Sequence, residues 1–347
     1  MMKELSFKKI TLGSIEKCYA ALGVMLGGEP CLFFGGEGDG SMQAFRGANF
    51  ENVTPIWQGG GGTMSIVPLC EGTVLASRGF YSMVDCAQST VEFIRAVDGG
   101  FTHETIAVLD YLHRFDTLRA PDGACYLIAA TLHSGKKDKT DWSTPGHVFA
   151  GKMNEDETQP SQVELKPLAG DFYMNHGFCK SEWNGRDAAF TASREGVFVW
   201  LPPEREGTQW TCEQLLDFPV SDIAVCDVDG DGQQEIAALM PFHGNEFHIY
   251  HQKESGWDTV YTYPVENDFY HAVISGVIGG EKVFVGGARK GAADLFVIRW
   301  DAVEGKYHAQ QLDAGPGPSN LSLLNAPGAD LLLSANRMIF EAAVYRF

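Results

Sequence analysis

Five of the ten histidines, at positions 113, 133, 176, 243 and 271, stand at or just beyond the ends of short apolar runs that read as strands. Neutral imidazoles converging with a carboxylate are the usual donors for Zn²⁺ or a similar divalent ion. Arg78, Arg289, Lys290 and Arg337 recur at comparable places. Their guanidinium and ammonium groups suit a polar or anionic oxygen ligand, or neutralise nearby acids. A different chemistry stands in Asp227-Val-Asp229-Gly-Asp231-Gly-Gln-Gln-Glu235. Oxygen donors at alternate positions around a glycine turn, with a carboxylate further on, are what a hard cation such as Ca²⁺ requires. Other chemistries lack their motifs. There is no GxSxG elbow, and Gly59–Gly62 is followed by no Lys-Ser/Thr pair, so it is a loop and not a phosphate cradle.

The histidines are far apart in sequence, so they act together only if the fold gathers them. Tyr19–Glu29 and His271–Glu281 are both apolar strands ending in Gly-Gly-Glu, each followed by a second apolar run. The same strand–turn–strand shape recurs to make seven units, beginning near residues 19, 64, 113, 176, 221, 271 and 319, at intervals of 45 to 63 residues. Four strands per repeat at this spacing predicts an all-β fold, one seven-bladed β-propeller domain over residues 1–347. The terminal strands, 4–11 and 340–347, are expected to pair and close the ring. The polar stretch 134–146 reads as a loop, and 89–97 as the one short helical stretch.

A ring makes a further statement. The start of each innermost strand and the loop after each second strand lie at the same end of the axis. Tyr19, Met64, His113, His176, Asp222, His271 and Asn320 occupy the first kind of position. Glu37, Arg78, His133, Ser193, His243, Arg289 with Lys290, and Arg337 occupy the second. The expectation is one axial pocket. His147, His248 and His251, near outer strands, read as structural or surface residues, and His103 and His308 as solvent-facing. Trp142, in the loop after His133, is placed to overhang the pocket and stack on a sugar ring.

The formal charge of −19, with no Lys/Arg run longer than two residues, repels polyanions and argues against nucleic acid or an anionic membrane as partner. No apolar run approaches the roughly 18 residues of a membrane span, and MMKELSFKKITLGS has no signal-peptide core. Eight cysteines without a CxxC pair read as free thiols, which places the chain in the cytoplasm. Composition leaves the oligomeric state open.

The loop Asp227–Glu235 resembles the FG-GAP, or VCBS-like, propeller blade, whose first turn carries such a loop. Together with Leu112-His113-Arg-Phe-Asp116, Asn175-His176-Gly177 and Tyr270-His271-Ala272, the chain resembles the propeller domain of aldos-2-ulose dehydratase and related keto-sugar lyases. The resemblance implies a metal-dependent carbon–oxygen lyase, a dehydratase, β-eliminase or hydratase, acting on a keto-sugar or 3-keto-glycoside. On that reading His113, His176 and His271, with Glu37 or Asp222, hold a divalent ion (Zn²⁺, Mn²⁺ or Mg²⁺). His133 or His243 is the acid/base. Tyr19, Arg78, Arg289, Lys290, Asn320, Arg337 and Trp142 contact the sugar. Asp227, Asp229, Asp231 and Glu235 form a structural turn of the calcium type. The competing readings are a non-catalytic propeller that binds a protein or glycan, and a metal-dependent hydrolase such as a lactonase.

Overall fold

The computed structural model describes residues 2–347, and among them there is no helix. Seven four-stranded antiparallel sheets follow one another along the chain. They span 18–57, 66–108, 112–172, 177–216, 222–262 and 269–314, with the seventh formed by 320–346 and the strand Lys8–Ser14. We number these blades 1 to 7. Each first strand is innermost and each fourth is outermost.

Strands covered on both faces read as continuous apolar runs rather than alternating ones. That is the pattern of the second strands: residues 31–36, 188–193, 236–239, 283–288 and 331–336 are buried throughout. The packing is between blades. One apolar cluster joins Phe33 and Met42 of blade 1 to Ile66 and Val74 of blade 2. Equivalent clusters join every successive pair, and Ile15, Phe34, Leu333 and Val344 join blade 7 to blade 1. The second strands also need small residues. A Cβ at Gly286 would collide with the Phe296 ring and lie 2.9 Å from Phe247 of blade 5.

Ring closure uses one strand from each end of the chain. Lys8–Ser14 pairs antiparallel with Glu341–Arg346. Thr11 Oγ1 donates to Glu341 Oε1 at 2.6 Å, and Lys9 Nζ lies 3.0 Å from Glu341 and 2.9 Å from Asp313 of blade 6. The sheet edge that a terminal strand would expose is thereby paired.

One expected element is corrected. Residues 89–97 are not helical: Thr90–Val97 is the third strand of blade 2. Val91 and Phe93 pack toward blade 3 while Ile94 packs toward blade 1, so both faces are apolar for a strand's reason. Glu92 is buried and accepts from Thr90 Oγ1 and Thr105 Oγ1, each at 2.7 Å.

Phe284 is fully buried in the cluster between blades 5 and 6, whereas Val303 is 96% exposed. Phe284→Ala should cost about 3–5 kcal/mol in urea unfolding. Val303→Ala should change it by less than about 0.5 kcal/mol. Equal effects would contradict the interblade core.

Candidate active site in the axial pocket

The inner-strand starts do not simply end at the pocket; they bulge there. In blade 1 Tyr19 is the extra residue between the pairs Cys18–Gly36 and Ala20–Gly35. His113 is extra between Leu112–Thr131 and Arg114–Ala130, and His271 between Tyr270–Ala288 and Ala272–Gly287. A bulge leaves one residue out of the ladder and turns its side chain, and here it turns three toward the axis. His176 immediately precedes the inner strand of blade 4, Gly177–Trp183. His243 lies in the turn after the second strand of blade 5, with φ of +48°, a left-handed conformation uncommon outside glycine.

These residues line a cavity of about 360 Å³ with Tyr19, Glu37, Phe242, Phe269, Arg289, Arg337 and Trp142. His176, His243 and His271 each place a ring nitrogen within 4.8 Å of the other two. The rings of His243 and His271 are parallel at 4.9 Å, and His176 lies 4.4 Å from His243 and 5.2 Å from His271. A carbonyl can only accept, so His176 Nδ1–H donates to Ser221 O at 3.2 Å and His271 Nδ1–H to Ser319 O at 2.7 Å. Both rings thereby carry their lone pair on Nε2. His271 Nε2 accepts from the Tyr19 hydroxyl at 3.3 Å, while His176 Nε2 is buried without a partner. His113 lies 4.7 Å from His176, with its Nδ1 likewise unpartnered, but stands outside the trio.

Burial and neighbouring cations keep these rings neutral. Burial is the largest effect on all of them. It is joined by Arg289 at His243, whose imidazolium is held off down to about 3. His113, His176 and His271 are driven well below the ordinary imidazole range. Burial likewise pushes the Tyr19 hydroxyl up to about 12, so it keeps its proton. Neutral imidazoles with fixed tautomers are the form that binds a metal.

Below the histidines a second chamber of about 250 Å³ continues down the axis, lined by Arg114, Asp116, Lys180, Asp222, Ser275 and Asn320 among others. Arg114 spans its upper end. Its Nη1 donates to Asn320 Oδ1 at 2.8 Å, and its Nη2 lies 3.8 Å from Asp222 Oδ2. Burial raises Asp116 and Asp222 to about 6 each, against the pull of Lys180 and Arg114 respectively. None of Arg114, Asp116 and Lys180 was singled out from sequence. Their signal is the two-residue period of an inner strand, where 114 and 116 share one side and face the channel.

Of the residues expected at the pocket, Tyr19, Glu37, His113, His176, His243, His271, Arg289, Arg337 and Trp142 come together. Others do not. His133 lines a separate crevice with Tyr111 and His147, because its loop folds outward; its Nδ1 accepts from Gly135 N at 3.1 Å. Arg78 stacks 5.2 Å from the Trp57 ring, and its Nε donates to Gly60 O at 2.9 Å, anchoring the glycine loop. Lys290 is exposed beside Phe269. Asp222 and Asn320 belong to the lower chamber; Asp222 Oδ1 accepts from Phe178 N and Ile223 N. Glu37 is taken by Arg337 Nε at 2.5 Å. The turn Asp227–Glu235 joins the first two strands of blade 5 at the end opposite the pocket. There burial, then Asp229 and Asp227, push the Glu235 carboxyl up to about 8.

The fold and pocket define a class: a closed seven-bladed propeller with imidazoles gathered at one mouth of its axis. Over 99% of both chains the backbone is similar to that of selenomethionine-substituted virginiamycin B lyase from Staphylococcus aureus, with a TM-score of 0.62 and 10% sequence identity. At that identity the likeness establishes the architecture. No protein-family profile and no curated protein matches this sequence. No helix of the described residues is long and apolar enough to cross a membrane.

The depressed imidazoles give a pH signature. The unfolded chain takes up protons near the ordinary histidine value of about 6.5, while the folded chain refuses one at His243 until about 3. The unfolded state therefore binds more protons in this window, and the contribution to stability falls as pH drops from about 6.5 toward 3. In chelator-treated protein the long-range ¹H–¹⁵N spectrum at pH 5 should show His243 as a neutral ring. His243→Asn should flatten the acid loss of the urea midpoint. An imidazolium pattern at pH 5 would contradict the burial argument.

Proposed function

We propose that the chain is a metal-dependent carbon–oxygen lyase acting on a keto-sugar or 3-keto-glycoside in the axial pocket. One observation carries this reading: three neutral imidazoles from blades 4, 5 and 6 whose ring nitrogens converge within 4.8 Å, two of them held in a fixed tautomer by carbonyls. The buried Nε2 of His176 carries a lone pair without a hydrogen-bond partner, which a ligated ion would satisfy. The resemblance of the loop and of the histidine-bearing strand starts to FG-GAP-like blades and to aldos-2-ulose dehydratase guides the substrate class. The propeller compared above also carries the name of a lyase.

His176, His243 and His271 would hold the ion, His271 Nε2 giving up the Tyr19 hydroxyl to do so, and the ion when bound would supply a Lewis acid for the ketone oxygen. The remaining steps fall to the chain's own groups. His113, neutral and with a free Nδ1, accepts the proton from the carbon beside the ketone. The bond from the next carbon to its oxygen then breaks. Tyr19, protonated at neutral pH, donates its proton to the departing oxygen, which leaves as water or an alcohol and yields an enone. His113 and Tyr19 thus replace His133 and His243 as the acid–base pair, since His133 lies outside the pocket and His243 belongs to the trio. Arg289 and Arg337 stand at the rim to orient hydroxyls, and Trp142, 4.8 Å from Phe242, offers a stacking face. A cavity of about 360 Å³ lies within the usual range for small polar ligands.

His176→Ala should remove the pocket's metal and lower enone formation from a 3-keto-glucoside by at least about 10³-fold, equivalent to about 4 kcal/mol. Absorbance of the enone and metal analysis of the same preparation test both. A variant that retains metal and turnover would sink the assignment. Release of the aglycone without enone would convert the reading to hydrolysis.

A further inference from the structure

Outside the pocket, one cluster of donors has no role yet. In the turn Asp227–Glu235 the backbone holds one oxygen of each carboxylate. Asp229 Oδ1 accepts from Asp231 N at 3.0 Å, Asp231 Oδ1 from Gln233 N at 2.8 Å, and Glu235 Oε2 from Val228 N at 2.6 Å. Gly230 and Gly232 supply the left-handed turns, at φ +77° and +91°, that let the amides curl inward. The other oxygens converge on a residue from the third strand of blade 5. Asp231 Oδ2, Glu235 Oε1 and Asp229 Oδ2 lie 3.0, 3.7 and 3.8 Å from His251 Nε2.

Two atoms here want a partner. Glu235 is wholly buried and its Oε1 has no hydrogen bond. The hydroxyl of Tyr307, from blade 6 and lining the same recess, is also buried without one. His251 Nδ1 is 2.8 Å from Gln252 O, so it carries the ring hydrogen, and the Nε2 lone pair is aimed at three carboxylate oxygens. Asp229 and Asp231 facing that nitrogen are repulsive unless a cation, or a proton shared with Glu235 or His251, sits among them.

The donor set also selects. Asp227, the first position of the calcium-type pattern, is withdrawn: its Oδ2 pairs with Lys282 Nζ at 3.0 Å and its Oδ1 accepts from Gly230 N. Three oxygens and one imidazole nitrogen remain, where Ca²⁺ seeks about six to eight oxygens. Ligand atoms of a four-coordinate ion with bonds of about 2.0–2.1 Å stand roughly 3.3 Å apart; here the oxygens lie 3.0–3.8 Å from Nε2 and all four atoms within 4.8 Å of one another. We propose that Asp229, Asp231, Glu235 and His251 form a second cation site, selective for a divalent transition ion of the Zn²⁺ or Co²⁺ type over Ca²⁺, at the end of the propeller opposite the pocket. It ties the inner turn of blade 5 to that blade's third strand.

The test is a Co²⁺ titration of the full chain carrying His176→Ala, followed by visible absorption, so that the axial trio does not contribute. One Co²⁺ per chain should bind with ligand-field bands and resist a hundredfold excess of Ca²⁺. Adding His251→Gln should weaken it at least about tenfold. Wild-type chain should also gain more thermal stability from Zn²⁺ than from Ca²⁺, and His251→Gln should lose that difference. Displacement of Co²⁺ by equimolar Ca²⁺ would overturn the proposal, as would unchanged affinity in the His251→Gln chain. Absence of any His251-dependent binding would leave protons shared within the cluster as the balancing charge and overturn it equally. A second Co²⁺ that survives His176→Ala at the axis would count against the proposed pocket ligands and leave the loop site standing.

Discussion

The pocket depends on hydrogen bonds that cross from one blade to the next. His176 of blade 4 is oriented by the carbonyl of Ser221, immediately before the inner strand of blade 5. His271 of blade 6 is oriented by the carbonyl of Ser319, immediately before blade 7. Neither imidazole is positioned by its own sheet alone. Asn320 Nδ2 repeats the device across the closure, donating to Tyr19 O at 2.9 Å. Site geometry is therefore a property of the ring. The paired strands Lys8–Ser14 and Glu341–Arg346, far from the chemistry, hold the spacing on which the tautomers rest.

Architecture was legible because interblade burial writes itself into composition. A strand packed on both faces must be apolar throughout, and seven such runs in register with glycine turns leave few other folds. Convergence of Tyr19, His113, His176, His243 and His271 followed from topology once the ring was granted. What topology does not carry is which way a loop folds. His133 and His243 occupy equivalent positions after second strands, yet one turns out toward Tyr111 and the other turns in through a left-handed φ. That choice depends on Pro241–Gly244 closing a turn, with Gly244 N donating to Pro241 O, which a periodicity reading does not see. Residues 89–97 read as helical for a related reason: the adjacent apolar pair Phe93-Ile94 breaks strand alternation, and only the ring shows that one packs toward blade 3 and the other toward blade 1.

Both ends of the propeller use the same construction for donors. A backbone group engages one polar atom of a side chain and thereby aims the other. Carbonyls do this for the imidazoles, and amides do it for Asp229, Asp231 and Glu235. The entropy of holding these side chains is met by the fold before any ligand arrives, which is the condition for a preorganised site. Opposite charge character separates the two. The loop gathers carboxylates, whereas the pocket gathers neutral rings.

That difference bears on the proposed reaction. Neutral imidazoles contribute no negative charge, Arg289 stands half-buried beside His243, and Arg114 closes the floor. Glu37 is matched by Arg337, and burial drives Asp222 toward its protonated form. An ion held by the trio would leave the pocket with excess positive charge. Neutral ketone gains modestly from such a field. An oxyanion developing as the adjacent carbon loses its proton gains far more. Interactions stronger in the transition state than in the ground state are the ones that accelerate a reaction. On the proposed reading, the buried Arg289 Nε, which has no hydrogen-bond partner, is a group that a transient enolate would use and a neutral sugar would not.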